Sequence, residues 1–155
     1  MTNDRKARRG PSPQPPSDAL THIRAEHAEL QQMFAAFANT RSVNNKRFLV
    51  HRICTTLVLH EQVKEEVFYP AVEQLQAQAE PAHPTVKAMA LRIQRLEPVA
   101  DIVDGPIRVL AQKVQAHVSD LHASLFPRVA ASDIDLVELG HRMARRKAEL
   151  IARPA

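Results

Sequence analysis

Residues 52–72 read RICTTLVLHEQVKEEVFYPAV and continue a periodic pattern that begins a few residues earlier. Positions three and four residues apart lie on one face of an α-helix. In this region such positions are apolar apart from one histidine and one lysine; they are Leu49, Ile53, Leu57, His60, Lys64, Val67 and Ala71. The pattern predicts an amphipathic helix over residues 46–79. Pro70 lies inside that pattern and is expected to kink the helix or relax one turn.

Three further segments show the same spacing and predict helices over residues 18–40, 84–96 and 107–129. Their inner positions are Leu20, Ile23, His27, Leu30, Phe34 and Phe37, then Val86, Ala90 and Ile93, then Leu110, Val114, His117, Leu121 and Leu125. Gly105 and Pro106 are assigned to a connection, and Asp133 is expected to open a short helix that runs to residue 152. Four long helices with short connections predict an all-α fold, an antiparallel up-down four-helix bundle with a short additional C-terminal helix.

The composition limits the classes of protein that this chain can belong to. Residues 1–17 are basic and then Pro-rich, which predicts a disordered tail before a single domain over residues 18–152. The single cysteine excludes an internal disulfide, and no signal peptide or membrane-spanning run is present. We therefore expect a cytoplasmic protein without a membrane partner. The formal net charge of +4 comes from basic runs at both ends, which we interpret as solvated segments rather than as a nucleic-acid site.

The chain has eight histidines, and each predicted bundle helix carries one on or near its inner face. These four are His27, His60, His83 and His117, whereas His22, His51, His122 and His141 are expected to project away from the inner faces. A single inward histidine is usually a hydrogen-bonded core residue. Several imidazoles that converge in one core can instead share a metal ion such as iron or zinc. Cys54 is expected to lie off the core face, and no base is assigned to it.

The chain resembles the hemerythrin-like, or HHE cation-binding, family over about residues 18–152. The similar segments are DALTHIRAEHAELQQMFAAF, RICTTLVLHEQVKEEVFYPAV, HPTVKAMALRI, VQAHVSDLHASLFP and LGHRMARRKAEL. The resemblance implies an up-down bundle around a non-haem di-iron centre, with ligands at His27, His60, His83 and His117. It also implies two bridging glutamates, each four residues after a helix histidine, and a role in binding dioxygen or in sensing oxygen or iron.

Both bridging positions depart from the family pattern, because Lys64 and Leu121 stand where the glutamates are expected. The sequence therefore predicts a carboxylate-depleted site, and two interpretations remain open. In the first, the inward histidines bind a metal, either a mononuclear or degenerate di-iron site or zinc. Glu61, about 60° from the centre of the helix stripe, would then swing inward as a further ligand.

In the second interpretation no metal is bound, and the bundle is a protein-interaction or regulatory module. We expect metal binding, or oxygen and metal sensing, rather than enzymatic turnover. The expected partners are a metal ion and dioxygen, and the sequence identifies no protein partner.

Overall fold

A computed structural model describes residues 18–76, 83–96 and 100–153, and for residues 83–85 and 100–102 it describes the backbone only. These residues form helices and short connections, without a strand in the ranges described. The helices are α1 (Ala19–Asn39), α2 (Val43–Val63), α3 (Tyr69–Val72), α4 (His83–Arg95), α5 (Ala100–Asp120), α6 (Phe126–Ala130) and α7 (Leu136–Ala152). The predicted all-α class is confirmed. The predicted tail at residues 1–17 lies outside the described residues.

Side-chain caps determine where three of these helices begin. Asp18 accepts a hydrogen bond from the backbone N–H of Thr21 at 2.8 Å, so α1 begins as predicted. Ser42 caps α2, which therefore starts three residues before the predicted Lys46. Asp135, and not Asp133, is the N-cap of α7, which ends at the predicted residue, Ala152.

Two π-helical turns interrupt the long helices, and each comes just before a proline. The first spans Lys64–Phe68 between α2 and α3, and the second spans Leu121–Leu125 between α5 and α6. Pro70 and Pro127 follow these turns. A proline has no N–H to donate, and its ring clashes with the carbonyl four residues earlier. The wider π turn accommodates the proline while the helix continues, as expected near Pro70.

Gly105 and Pro106 lie inside α5, so the predicted connection at these residues is wrong. Val103 and Ile107 flank the pair and are buried at 2% and 1% exposure. Burial of these two side chains keeps the segment packed on the core, which outweighs the one hydrogen bond that Pro106 cannot make. α5 consequently begins at Ala100, seven residues before the predicted start.

The helices pack so that two apolar clusters form along their length. α2 packs against α1 and α4, α4 packs against α5, and α7 packs against α1, α2 and the first π turn. The first apolar cluster includes Leu30, Phe37, Ile53, Leu57, Ala90 and Leu110. The second apolar cluster includes Leu20, Ile23, Phe68, Phe126, Leu139 and Met143. Within the described ranges, no helix combines the length and apolar character needed to cross a membrane.

Candidate functional site

A layer of buried polar side chains separates the two apolar clusters. We call it the polar layer; it consists of Glu26, His27, His60, Glu61, Lys64 and His117, all at most 8% exposed. On α1, the second apolar cluster ends at Ile23 and the first apolar cluster begins at Leu30. On α2, the first apolar cluster ends at Leu57 and the second begins at Val63. The helices therefore bring their polar positions to the same level of the core.

His27 and His60 lie side by side, with ring centroids 5.0 Å apart. The Nδ1 atom of each ring has a partner. Nδ1 of His60 donates a hydrogen bond to Glu26, and Nδ1 of His27 lies 3.3 Å from Nε2 of His122. The Nε2 atom of each ring is buried and has no hydrogen-bond partner among the described residues. Burial lowers the pKa of His27 to about 2, helped by repulsion from His60 and Lys64. Burial and the charge of Lys64 also lower the pKa of His60. Both imidazoles are therefore neutral at pH 7.

Lys64 occupies the centre of the polar layer with 0% of its surface exposed. Its Nζ lies 3.0 Å from Oε1 of Glu61 and 3.2 Å from Nε2 of His117. Burial lowers the pKa of this lysine, and the carboxylate of Glu61 opposes the shift. The Nε2 atom of His117 is thus engaged by an amine, unlike the corresponding atoms of His27 and His60.

Glu26 is the residue of the polar layer that sequence reasoning missed. Its Oε2 accepts from Nδ1 of His60, and its Oε1 accepts from Nζ of Lys147 at 3.0 Å. Oε1 also lies 3.0 Å from Nε2 of His22. Burial alone would raise the pKa of Glu26, but these cationic and hydrogen-bonding neighbours hold it well below its ordinary value. Its spacing, three residues after Ile23 and four before Leu30, was the available signal.

A narrow cavity lies within the polar layer and has no room for a water molecule. Four potential metal ligands line it, together with five apolar side chains; the four are His27, His60, Glu61 and His117. Oε2 of Glu61, like the Nε2 atoms of His27 and His60, has no hydrogen-bond partner within the described part of the chain. Across the described ranges, no three His, Cys, Asp or Glu side chains are already arranged to hold a metal ion.

Four of the five predicted ligands are brought together here. The side chain of the fifth, His83, lies outside the described residues, although α4 begins at its backbone. Glu61 was expected to need an inward swing, but it is 1% exposed and faces the cavity. Its Oε1 also pairs with Nζ of Lys64 at 3.0 Å.

Two expectations about other residues are wrong, those for His22 and Cys54. His22 contacts Glu26 at 3.0 Å. His122 is exposed as expected, although its Nε2 lies 3.3 Å from Nδ1 of His27. Cys54 is fully buried in the first apolar cluster, and burial raises the pKa of its thiol to about 11. A long side chain or a second packing helix can bury positions that lie at the edge of a helix stripe.

The basic run near the C-terminus is only partly solvated. Arg146 forms ion pairs with Glu66 and Glu149, and Lys147 pairs with Glu26. Arg142 and Arg145 are exposed, as expected for this segment. Half of the basic run therefore attaches α7 to the rest of the fold, which the sequence pattern did not predict.

The residues of the polar layer do not fit a carboxylate-bridged di-iron centre. A dinuclear centre needs anionic oxygens between its two cations, whereas the two expected bridging positions hold a buried amine, Lys64, and an apolar side chain, Leu121. Two neutral imidazoles and one carboxylate do line the same cavity with unpaired atoms, although they are not arranged as a metal-binding group within the described residues.

Comparisons with protein-family models, with curated proteins and with solved structures each give no match to this chain. The hemerythrin-like resemblance therefore rests on the sequence segments alone.

Proposed function

We propose that this protein is a hemerythrin-like domain that binds a single divalent transition-metal ion, foremost iron, with His27, His60 and Glu61 as ligands. One observation carries the proposal: these three residues each present an unpaired buried donor atom around one cavity. A buried polar atom without a partner costs about 1–3 kcal/mol. Three such atoms at one place are a reason to expect a ligand that pairs with them.

The donor types support one ion rather than two. Two imidazoles and one carboxylate are the ligand set of mononuclear non-haem iron sites, which keep open positions where dioxygen can bind. His117 is engaged by Lys64 at 3.2 Å and is not free to hold a second ion. When bound, the ion would supply affinity for dioxygen or a response to iron supply. The cavity has no room for an organic substrate, which supports binding or sensing rather than turnover of one.

The packing of α1, α2, α4 and α5 supports the finer part of the fold proposal, an antiparallel up-down four-helix bundle. In this arrangement α7 is an added helix on the side of α1 and α2. Ligands projecting inward from facing helices are how bundle proteins build metal sites.

Metal titration of the full chain, purified without a histidine tag and stripped with chelator, tests the proposal. Under anaerobic conditions we expect one Fe(II) per chain. His27→Gln and His60→Gln should each weaken binding by more than about 100-fold, since changes to outer partners alone cost about 10–100-fold. His51→Gln, an exposed histidine on α2, is the matched control and should bind as the wild type does. Uptake of two ions, or of none, would contradict the single-ion site.

The second candidate is a metal-free bundle that acts as a protein-interaction or regulatory module. The observation that favours it is the charge balance of the polar layer: Lys64 pairs with Glu61 and Lys147 pairs with Glu26, each at 3.0 Å. The lysine ammonium supplies the positive charge that a metal ion would otherwise provide to Glu61.

The two candidates differ in what apolar replacement of the histidines does. If the protein binds no metal, added Fe(II), Co(II) and Zn(II) should leave the melting temperatures of both the wild type and His60→Leu unchanged. A metal-dependent rise in melting temperature that is present in the wild type and absent in His60→Leu would exclude the metal-free candidate.

A further inference from the structure

α7 reaches the polar layer through one polar side chain. The helix packs on the second apolar cluster with Leu139 and Met143, and Lys147 extends from it to Oε1 of Glu26 at 3.0 Å. The other oxygen of Glu26 accepts from Nδ1 of His60. Three helices, α7, α1 and α2, are thereby joined in one chain of contacts that ends at the cavity.

The tautomer of His60 depends on this chain of contacts. A neutral imidazole carries one N–H, and the nitrogen that donates to a carboxylate keeps it. Donation from Nδ1 to Glu26 therefore leaves a lone pair on Nε2, the atom of His60 that has no partner among the described residues. Metal-binding histidines are commonly held in this way by a carboxylate behind the ring.

Lys147 lies 3.0 Å from Oε1 of Glu26, an oxygen that Nε2 of His22 also approaches at 3.0 Å. The side chain of Glu26 is only 10% exposed, whereas that of Lys147 is 31% exposed and reaches it from the surface. With Lys147 on Oε1, the second oxygen is directed at the ring of His60. Without the ammonium group, the carboxylate can rotate toward solvent and away from Nδ1.

We propose that Lys147 is a positioning residue for the metal site, acting through Glu26 to keep the lone pair of His60 Nε2 directed at the cavity. The part that concerns metal affinity rests on the single-ion site proposed above. The part that concerns the tautomer of His60 stands on the contacts of the metal-free chain. α7 is then an element of the site and not only a cover for the second apolar cluster.

Nitrogen-15 spectra of the histidine rings in the metal-stripped full chain, followed by Co(II) titration, test this proposal. In the wild type we expect the proton of His60 on Nδ1 and an unprotonated Nε2. Lys147→Gln should mix the two tautomers and weaken Co(II) binding by about 10-fold, and Lys147→Arg should restore both properties. The matched control is Lys87→Gln, which removes another 3.0 Å lysine–glutamate pair, with Glu65; Lys87 makes no contact with Glu26 or His60 among the contacts described.

The outcomes separate this proposal from the proposed function. If Lys147→Gln retains the wild-type tautomer and binds Co(II) as Lys87→Gln does, the positioning role is refuted while the metal site stands. If the wild type binds no Co(II), the single-ion site fails, and the tautomer comparison still decides whether Lys147 positions His60. A loss of affinity that Lys147→Arg does not restore would also count against the role.

Discussion

Replacing Lys64 by methionine tests the charge balance at the centre of the polar layer. The ion pair between Lys64 and Glu61 is 3.0 Å long, and the two side chains are 0% and 1% exposed. At that separation and an effective dielectric constant of about 20, the Coulomb attraction is about 5 kcal/mol. Removing one partner of a buried pair costs about 3–5 kcal/mol because the remaining charge is left uncompensated.

The measurement is urea denaturation of the chelator-treated protein, followed by circular dichroism. We expect Lys64→Met to lower the free energy of unfolding by about 3–5 kcal/mol, which corresponds to a fall in melting temperature of about 6–20 °C for a chain of this size. The double variant Lys64→Met with Glu61→Leu should regain most of this loss, because it removes both charges. The matched control, Lys87→Met, breaks a half-exposed pair with Glu65 and should cost less than about 1 kcal/mol.

Two results would refute this reasoning. A single variant Lys64→Met that equals or exceeds the wild type in stability would show that Glu61 does not depend on the ammonium group. A double variant less stable than the single one would show that the pair is not the source of the loss. Added Co(II) should stabilise Lys64→Met more than the wild type, since the ion can then neutralise Glu61 without competition.

Two further predictions concern pH and the start of α7. Because the pKa of His27 is lowered to about 2 and that of His60 is also lowered, the unfolded chain binds more protons below its ordinary histidine pKa of about 6.5. In the metal-stripped protein, the contribution of each of these histidines to the free energy of unfolding should thus be complete above pH 6.5. It should fall on acidification by about 1.4 kcal/mol per pH unit. Urea midpoints at pH 5 and pH 6.5 check this, and His27→Gln, but not the exposed control His51→Gln, should make the slope shallower. Asp135→Ala removes the N-cap of α7 and should cost about 1 kcal/mol in the same denaturation assay; an unchanged midpoint would show that packing alone sets the start of this helix.

Helix periodicity was sufficient to place most of the inner side chains. Leu30, Ile53, Leu57 and Leu110 were predicted to face inward and are at most 1% exposed. The same periodicity placed Lys64 inside, although a lysine is seldom fully buried. These predictions succeeded because the 3.6-residue repeat is a property of each helix by itself.

The positions at the edges of the stripes could not be predicted in the same way. Glu26 is buried by α7, a helix more than a hundred residues later in the chain, whose Lys147 pairs with it. Nε2 of His122 lies 3.3 Å from Nδ1 of His27, and the ring of His122 lies 4.9 Å from that of Phe126. A helical wheel gives the direction of the Cα–Cβ bond, but it does not say where a long side chain ends or which helix covers it.

Residue order alone was enough to establish that the chain is helical and that three histidines and one lysine face inward on their helices. Lys64 and Glu61 pair within one helical segment, three residues apart. Packing between helices decided the other contacts: Lys64 with His117, and Lys147 with Glu26 and through it His60. The reason is that hydrophobic periodicity acts within one helix, whereas the cost of a buried charge depends on the atoms that other helices bring within about 3 Å.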